Sequence, residues 1–162
     1  MSLLRAEDQA ALRARFAQEL EGPVRLVLFV REPSGLYLPG HDEPATGREV
    51  RQLLEEVAAL SPRLHLEVHN PLVEPSLARQ YEIARWPALV ILPDSDGAQP
   101  DAAGRATGRI RFFGLPAGYE FATLVEDLID VSRRRSRLSE GTRRALASLR
   151  SPLHLQVFVT PT

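Results

Sequence analysis

The strongest constraint on this chain is an alternation of two periodicities. Val24-Arg-Leu-Val-Leu-Phe-Val30 is almost wholly apolar, the pattern of a largely buried strand. Segments of helical period flank it. Within 6–21, Leu12, Phe16 and Leu20 share one face, Glu7 and Asp8 sit where the helix dipole favours negative charge, and Gly22-Pro23 stops the run. Within 47–60, Val50, Leu53, Leu54 and Val57 face one side, and Pro62 ends the segment.

The pattern continues. Leu64-His-Leu-Glu-Val-His69 alternates strictly, as a half-exposed strand does. Pro75 opens a short helix carrying Leu77 and Tyr81, and Ala88-Leu-Val-Ile-Leu92 is a short apolar strand after Trp86-Pro87. A polar turn region spans 93–108, and Arg109-Ile-Arg-Phe-Phe113 is another strand. Gly114-Leu-Pro-Ala-Gly118 is a turn, and a helix over 119–135 points Phe121, Leu124, Val125, Leu128 and Ile129 inward. The order is α-β-α-β-α-β-β-α. Strands separated by helices pair in parallel, and the last two form an antiparallel hairpin. The fold class is therefore α/β, a small mixed sheet flanked by helices, with one domain over 1–132. The loop over 31–46, rich in Pro and Gly, is long enough to invite a functional question.

Composition removes several chemistries. The 162 residues include no cysteine, which excludes a disulfide scaffold, a thiolate nucleophile and a cysteine zinc site. All 20 basic residues are arginine, so lysine Schiff-base chemistry and the P-loop lysine are also excluded. The net charge of −1 gives no overall bias toward nucleic acid or acidic membranes. It is unevenly spread: residues 1–132 hold 13 Arg against 20 Asp and Glu, a net of −7, and 133–162 hold 7 Arg against Glu140, a net of +6. No secretory leader and no membrane-length apolar run is visible, so a cytoplasmic location is expected.

The tail repeats the beginning. Gly141 to Leu149 has helical period, Ser151-Pro152 breaks it, and Leu153-His-Leu-Gln-Val-Phe-Val159 has the pattern of a strand. Pro23 and Pro152, and the Phe-Val pairs at 29–30 and 158–159, share an offset of 129 residues (152 − 23 and 159 − 30). Residues 133–162 are accordingly expected to be a connector, a helix and the opening strand of a second unit. An apolar strand without its own unit's partners is expected to add to a sheet edge, in its own molecule or in a second copy as a homo-oligomer.

With Tyr81-x-Ile83-x-x-Trp86-Pro87-Ala-Leu-Val, the element order resembles a thioredoxin fold, in which the proline at the position of Pro87 is cis. Arg111-Phe-Phe-Gly-Leu-Pro-Ala-Gly-Tyr-Glu-Phe121, followed by Leu124 to Ser132, resembles the glutaredoxin-like protein disulfide oxidoreductases, which are tandem thioredoxin folds. More loosely it resembles the N-terminal domain of the flavoprotein component of alkyl hydroperoxide reductase. The resemblance covers essentially the whole chain. In those oxidoreductases a Cys-X-X-Cys follows the first strand; here Arg31-Glu-Pro-Ser-Gly-Leu-Tyr-Leu-Pro-Gly40 stands instead, and serine and tyrosine cannot exchange disulfides. The resemblance places a second motif just beyond Thr162.

Three readings follow. The first is a redox-inactive thioredoxin-fold module that scaffolds or docks a protein or peptide partner, without cofactor, at the cis-proline groove; Trp86, Pro87, Tyr37 and Leu36 would form its apolar patch. The plainer reading of Trp86 is core packing. The second is an N-terminal fragment of an active thiol-disulfide oxidoreductase. The third is a metal site from His65, Glu67 and His69, which share a strand face at i, i+2, i+4; a solvated face is the plainer reading. Weaker constellations are His41-Asp42-Glu43, a triad on Ser34, and Asp94, Asp96 and Asp101, all read more simply as loop and turn chemistry. The arginines of 133–150 carry no interleaved aromatics and read as a face paired with acidic groups rather than a nucleic-acid surface.

Overall fold

A computed structural model describes residues 2–31, 45–94, 110–151 and 153–158. The chain runs α1 (Ala6–Glu19), β1 (Val24–Phe29), α2 (Ala45–Ala58), β2 (Leu64–His69), α3 (Pro75–Gln80), β3 (Ala88–Pro93), β4 (Ile110–Phe113), α4 (Tyr119–Arg133) and α5 (Glu140–Ala147). Among the described residues four strands lie in the order β2-β1-β3-β4. β1 pairs with β2 in parallel, across the α2 crossover, and with β3 antiparallel; β3 and β4 are antiparallel. This is the mixed sheet that the alternation of periods predicts.

The sheet is covered on both faces, which explains why β1 and β3 are so uniformly apolar. Val24, Leu26 and Leu28, with Leu89 and Ile91, pack on Phe16, Leu20, Val50, Leu54, Leu124 and Leu128 from α1, α2 and α4. Val27, Phe29, Ala88, Val90 and Leu92 meet Ala78, Tyr81 and Ile83 around α3. Each fully buried side chain of this size contributes about 1.5–3 kcal/mol relative to exposure. Strand β2 lies at the sheet edge. Leu66 and Val68 pack against the α2 side, while His65, Glu67 and His69 take the α3 face.

A buried serine ties the two ends of the domain. Ser132, 4% exposed at the end of α4, accepts hydrogen bonds from the N–H groups of Glu21 and Gly22, each at 2.9 Å, and donates to the Gly22 carbonyl at 2.6 Å. A methyl at Gly22 would approach the Ser132 carbonyl to 3.2 Å, so only glycine fits without a shift. Helix α4 then stops at Arg134, which adopts a left-handed backbone (φ 51°). The N-terminal segment is held differently. Glu56 of α2 accepts from the Leu3 and Leu4 N–H groups, each at 2.9 Å, from the Ser2 hydroxyl at 2.8 Å and from Gln52 at 2.9 Å. Partial burial opposes its charge, but these donors outweigh burial and hold the carboxyl at about 2.

Residues 153–158 carry no regular secondary structure within the chain, where the opening strand of a second unit was expected to add to a sheet edge in its own molecule or in a second copy; Val159 lies outside the described residues. An isolated strand has nothing to satisfy its ladder groups, and the segment does not reach either open edge of its own sheet. Leu153, Leu155, Val157 and Phe158 are 63–88% exposed. The helix expected before it is present as α5, which buries none of its residues.

Candidate functional site

Strand register converges several elements at one end of the sheet. Phe29 pairs with Ala88, and Ala88 with Phe113. One step further along, Val30 ends β1, Pro87 opens β3 and Gly114 leaves β4. The Trp86–Pro87 peptide bond is cis. The Gly114 N–H donates to the Pro87 carbonyl at 3.0 Å, which fixes the loop to β4. Gly114 turns the chain away with φ 91°; a Cβ there would meet nothing within 4 Å, so the glycine serves backbone conformation rather than space. On the other flank α2 begins close to the sheet: a methyl on Gly47 would meet Val30 Cγ2 at 3.2 Å.

Trp86 is 42% exposed rather than packed in the core, which answers the plainer reading of that residue. Phe113, 46% exposed, pairs with Ala88 across the β3–β4 ladder, and the Arg85 guanidinium stands 5.1 Å from the Phe113 ring centroid, a cation–π contact. Pro87 is half-buried. Leu36 and Tyr37 lie outside the described residues, as do Ser34, the His41-Asp42-Glu43 trio, Asp96 and Asp101. Arg85 and Phe113 were not singled out from the sequence. Their signal was available: Phe113 is the last residue of an alternating strand that runs beside the Trp-Pro pair.

The turn after Gly114 also borders an apolar cleft of about 320 Å³, lined among others by Leu3, Leu53, Leu115, Pro116 and Phe121. It was invisible to sequence reading because its wall joins the N-terminal segment to a turn more than a hundred residues later.

His65, Glu67 and His69 share one face but not one centre. His65 Nδ1 pairs with Asp94 and its Nε2 lies 3.1 Å from the Pro62 carbonyl. His69 Nδ1 pairs with Glu74 at 2.9 Å, and its Nε2 lies 3.5 Å from Glu67. Among the described residues no group of three His, Asp or Glu is placed to hold a metal ion. The hydrogen bond that the His65 ring donates to the Asp94 carboxylate raises the His65 pKa.

The arginine-rich connector is paired with carboxylates of the domain. Arg133 meets Glu19 at 2.9 Å, Arg135 meets Glu21 at 2.6 Å, and Arg137 meets Glu126 at 2.7 Å and Asp130 at 3.0 Å. Arg133, Arg135 and Arg137 thus each have a carboxylate partner in the domain. Among the described residues no helix is long and apolar enough to cross a membrane.

No protein-family profile matches the chain. The alkyl hydroperoxide reductase protein AhpF from Staphylococcus aureus is 29% identical over 123 residues, covering 76% of this chain and 20% of that protein. The chain therefore spans about one fifth of the length of the curated relatives it matches. The crystal structure of the NTD_N/C domain of alkylhydroperoxide reductase AhpF from Enterococcus faecalis superposes with a TM-score of 0.67 at 26% identity, covering 90% of this chain and 61% of that one. A protein disulfide oxidoreductase from Aeropyrum pernix superposes with a TM-score of 0.68 at 24% identity, covering 90% and 55%, and supports the fold. The chain is a thioredoxin-fold, oxidoreductase-related domain, similar over most of its length to the N-terminal domain of the alkyl hydroperoxide reductase protein AhpF.

Proposed function

We propose that this chain is a redox-inactive thioredoxin-fold module that docks an extended segment of a protein partner at the Trp86-Pro87 end of its sheet. The observation that carries this reading is an exposed tryptophan, Trp86 at 42%, directly before a cis-proline at one end of the sheet, in a chain without a single thiol. Disulfide exchange needs a thiolate, and the chain supplies none. Docking needs only backbone groups and apolar area, which the loop retains. Trp86 is the sole tryptophan, so its fluorescence reports this site alone. The test titrates the chain with carboxymethylated insulin B chain, an extended peptide without free thiols. Saturable binding that shifts the Trp86 emission, weakened about tenfold or more by Trp86→Ala in an anisotropy assay, is expected. Absence of binding, or binding indifferent to Trp86→Ala, refutes docking. Catalytic reduction of intact insulin by the 162-residue chain refutes redox inactivity.

A second reading rests on the chain's coverage of only about one fifth of its curated relatives. In it, residues 1–132 are the non-catalytic first unit of a larger thiol-disulfide oxidoreductase, and 133–162 open a second unit that carries Cys-X-X-Cys. Reading the encoding gene past codon 162 tests it; a native stop codon there refutes it.

A further inference from the structure

Arg85 is held differently from Arg15, Arg25, Arg111 and Arg133, each of which meets a carboxylate. Arg85 is exposed, and among the described residues no carboxylate pairs with it. Its guanidinium stands 5.1 Å from the Phe113 ring centroid instead. The carboxylates nearby are engaged elsewhere. Glu82, three residues earlier, pairs with Arg111 at 3.0 Å, and Glu74 pairs with His69 at 2.9 Å. Contact with an aromatic ring engages the positive charge but gives the N–H donors no oxygen acceptor. Those donors form a planar fork that fits a carboxylate through two parallel hydrogen bonds.

Two features place this cation beside Trp86. Phe113 is fixed by the β3–β4 register opposite Ala88, whose side chain belongs to the cluster on the α3 face. Residues paired in an antiparallel ladder share a face, so the ring that supports Arg85 lies on that face too. Arg85 also directly precedes Trp86, which sets their Cα atoms about 3.8 Å apart. Among the described residues, no backbone hydrogen bond uses the N–H or C=O of Arg85 or Trp86. An extended segment that pairs with those backbone groups carries its own side chains within reach of the guanidinium. The net charge of −7 on residues 1–132 opposes an acidic partner at long range. Physiological salt screens that repulsion beyond about 8 Å, and a contact with Arg85 acts inside that distance.

We propose that Arg85 is a specificity residue of this end of the sheet, selecting extended partner segments that carry an aspartate or glutamate beside the residue docked at Trp86-Pro87. The proposal rests on the docking function above and adds the chemistry of the partner.

The test titrates the chain with three end-capped, tryptophan-free peptides of equal length, alternating Thr with Glu, Gln or Lys, and follows the Trp86 emission. Carboxymethylated insulin B chain, titrated in parallel, reports docking itself. At low salt the Glu peptide is expected to bind about threefold or more tighter than its Gln isostere, with the Lys peptide weakest. The preference should shrink as salt rises to about 0.5 M. Arg85→Gln should erase the preference for Glu over Gln, and Arg85→Lys, which keeps the charge, should retain part of it. Circular dichroism checks that the variants fold as the parent chain does. If the B chain binds but the Glu and Gln peptides bind equally, or if the preference survives Arg85→Gln, the proposal is overturned and docking stands. If neither the B chain nor any of the peptides binds, both fall.

Discussion

Replacing Ser132 by alanine removes one oxygen and three hydrogen bonds. Its Oγ is the shared partner of the Glu21 N–H, the Gly22 N–H and the Gly22 carbonyl. Those groups belong to the turn between α1 and β1, while Ser132 closes α4, so the hydroxyl joins segments 110 and 111 residues apart. Ser132 is 4% exposed and Gly22 is half-buried, whereas Glu21 lies at the surface. Water can therefore replace the hydroxyl at the Glu21 amide and much less readily at the two Gly22 groups. Assigning about 1 kcal/mol to each Gly22 bond and about 0.5 kcal/mol to the Glu21 bond gives a loss of about 2–3 kcal/mol. For a domain of this size that corresponds to a fall in Tm of about 5–10 °C. Urea unfolding followed by circular dichroism measures it, with an unchanged m-value showing that the same surface unfolds. Ser148→Ala is the control: Ser148 is exposed and makes one local bond to the Ala145 carbonyl, so a change within about 0.5 kcal/mol is expected. If Ser132→Ala is as mild as Ser148→Ala, the hydroxyl does not join the two ends of the domain.

Three further outcomes are expected. Glu56 has its carboxyl lowered to about 2 in the folded state, so its stabilisation is present above the usual 4.5 and is lost as pH falls through about 2. Glu56→Gln should cost about 1–2 kcal/mol at neutral pH, flatten the stability profile between pH 4.5 and 2, and increase amide exchange at Leu3 and Leu4; an unchanged acid profile refutes this. His65 has a raised pKa because of Asp94, so the pair stabilises the fold below the ordinary histidine value of 6.5 and loses that stabilisation as pH rises through the folded value. Asp94→Asn should move the His65 midpoint downward in an NMR titration, and an unmoved midpoint would dismiss the pairing. Gly114→Ala forces φ 91° on an alanine and should destabilise by about 1–2 kcal/mol although the space is open; a neutral result would show that the turn relaxes to another backbone conformation.

Much of the architecture was legible because one period decides one element. The i, i+4 run of Leu12, Phe16 and Leu20 marks α1, and the strict alternation of Leu64–His69 assigns its leucines and valine to the α2 side of β2. Both patterns survive folding because burial acts face by face. Helix ends moved by about two residues: α2 is Ala45–Ala58 rather than 47–60, and α4 ends at Arg133 rather than 135. The α4 end depends on where Arg134 turns left-handed, a local backbone choice that periodicity does not encode. The candidate site was legible only in part. Trp86-Pro87 stood out as a pair, but its exposure and its contact with the β4 side arise from register between strands distant in sequence.

By itself, the sequence determined the α/β order, the two apolar faces of the central strands and the absence of any thiol, because each depends on residue type and local spacing. The tertiary structure alone decided what those residues meet. It separated His65 from His69 by giving each its own carboxylate, and it paired the connector arginines with Glu19, Glu21, Glu126 and Asp130. It left 153–158 without a ladder, although Leu153 to Val157 alternate as Leu64 to Val68 do. The physical reason is the same in each case. Apolar burial is set by a residue's own chemistry, whereas an ion pair or a strand requires a partner whose position only the folded chain supplies.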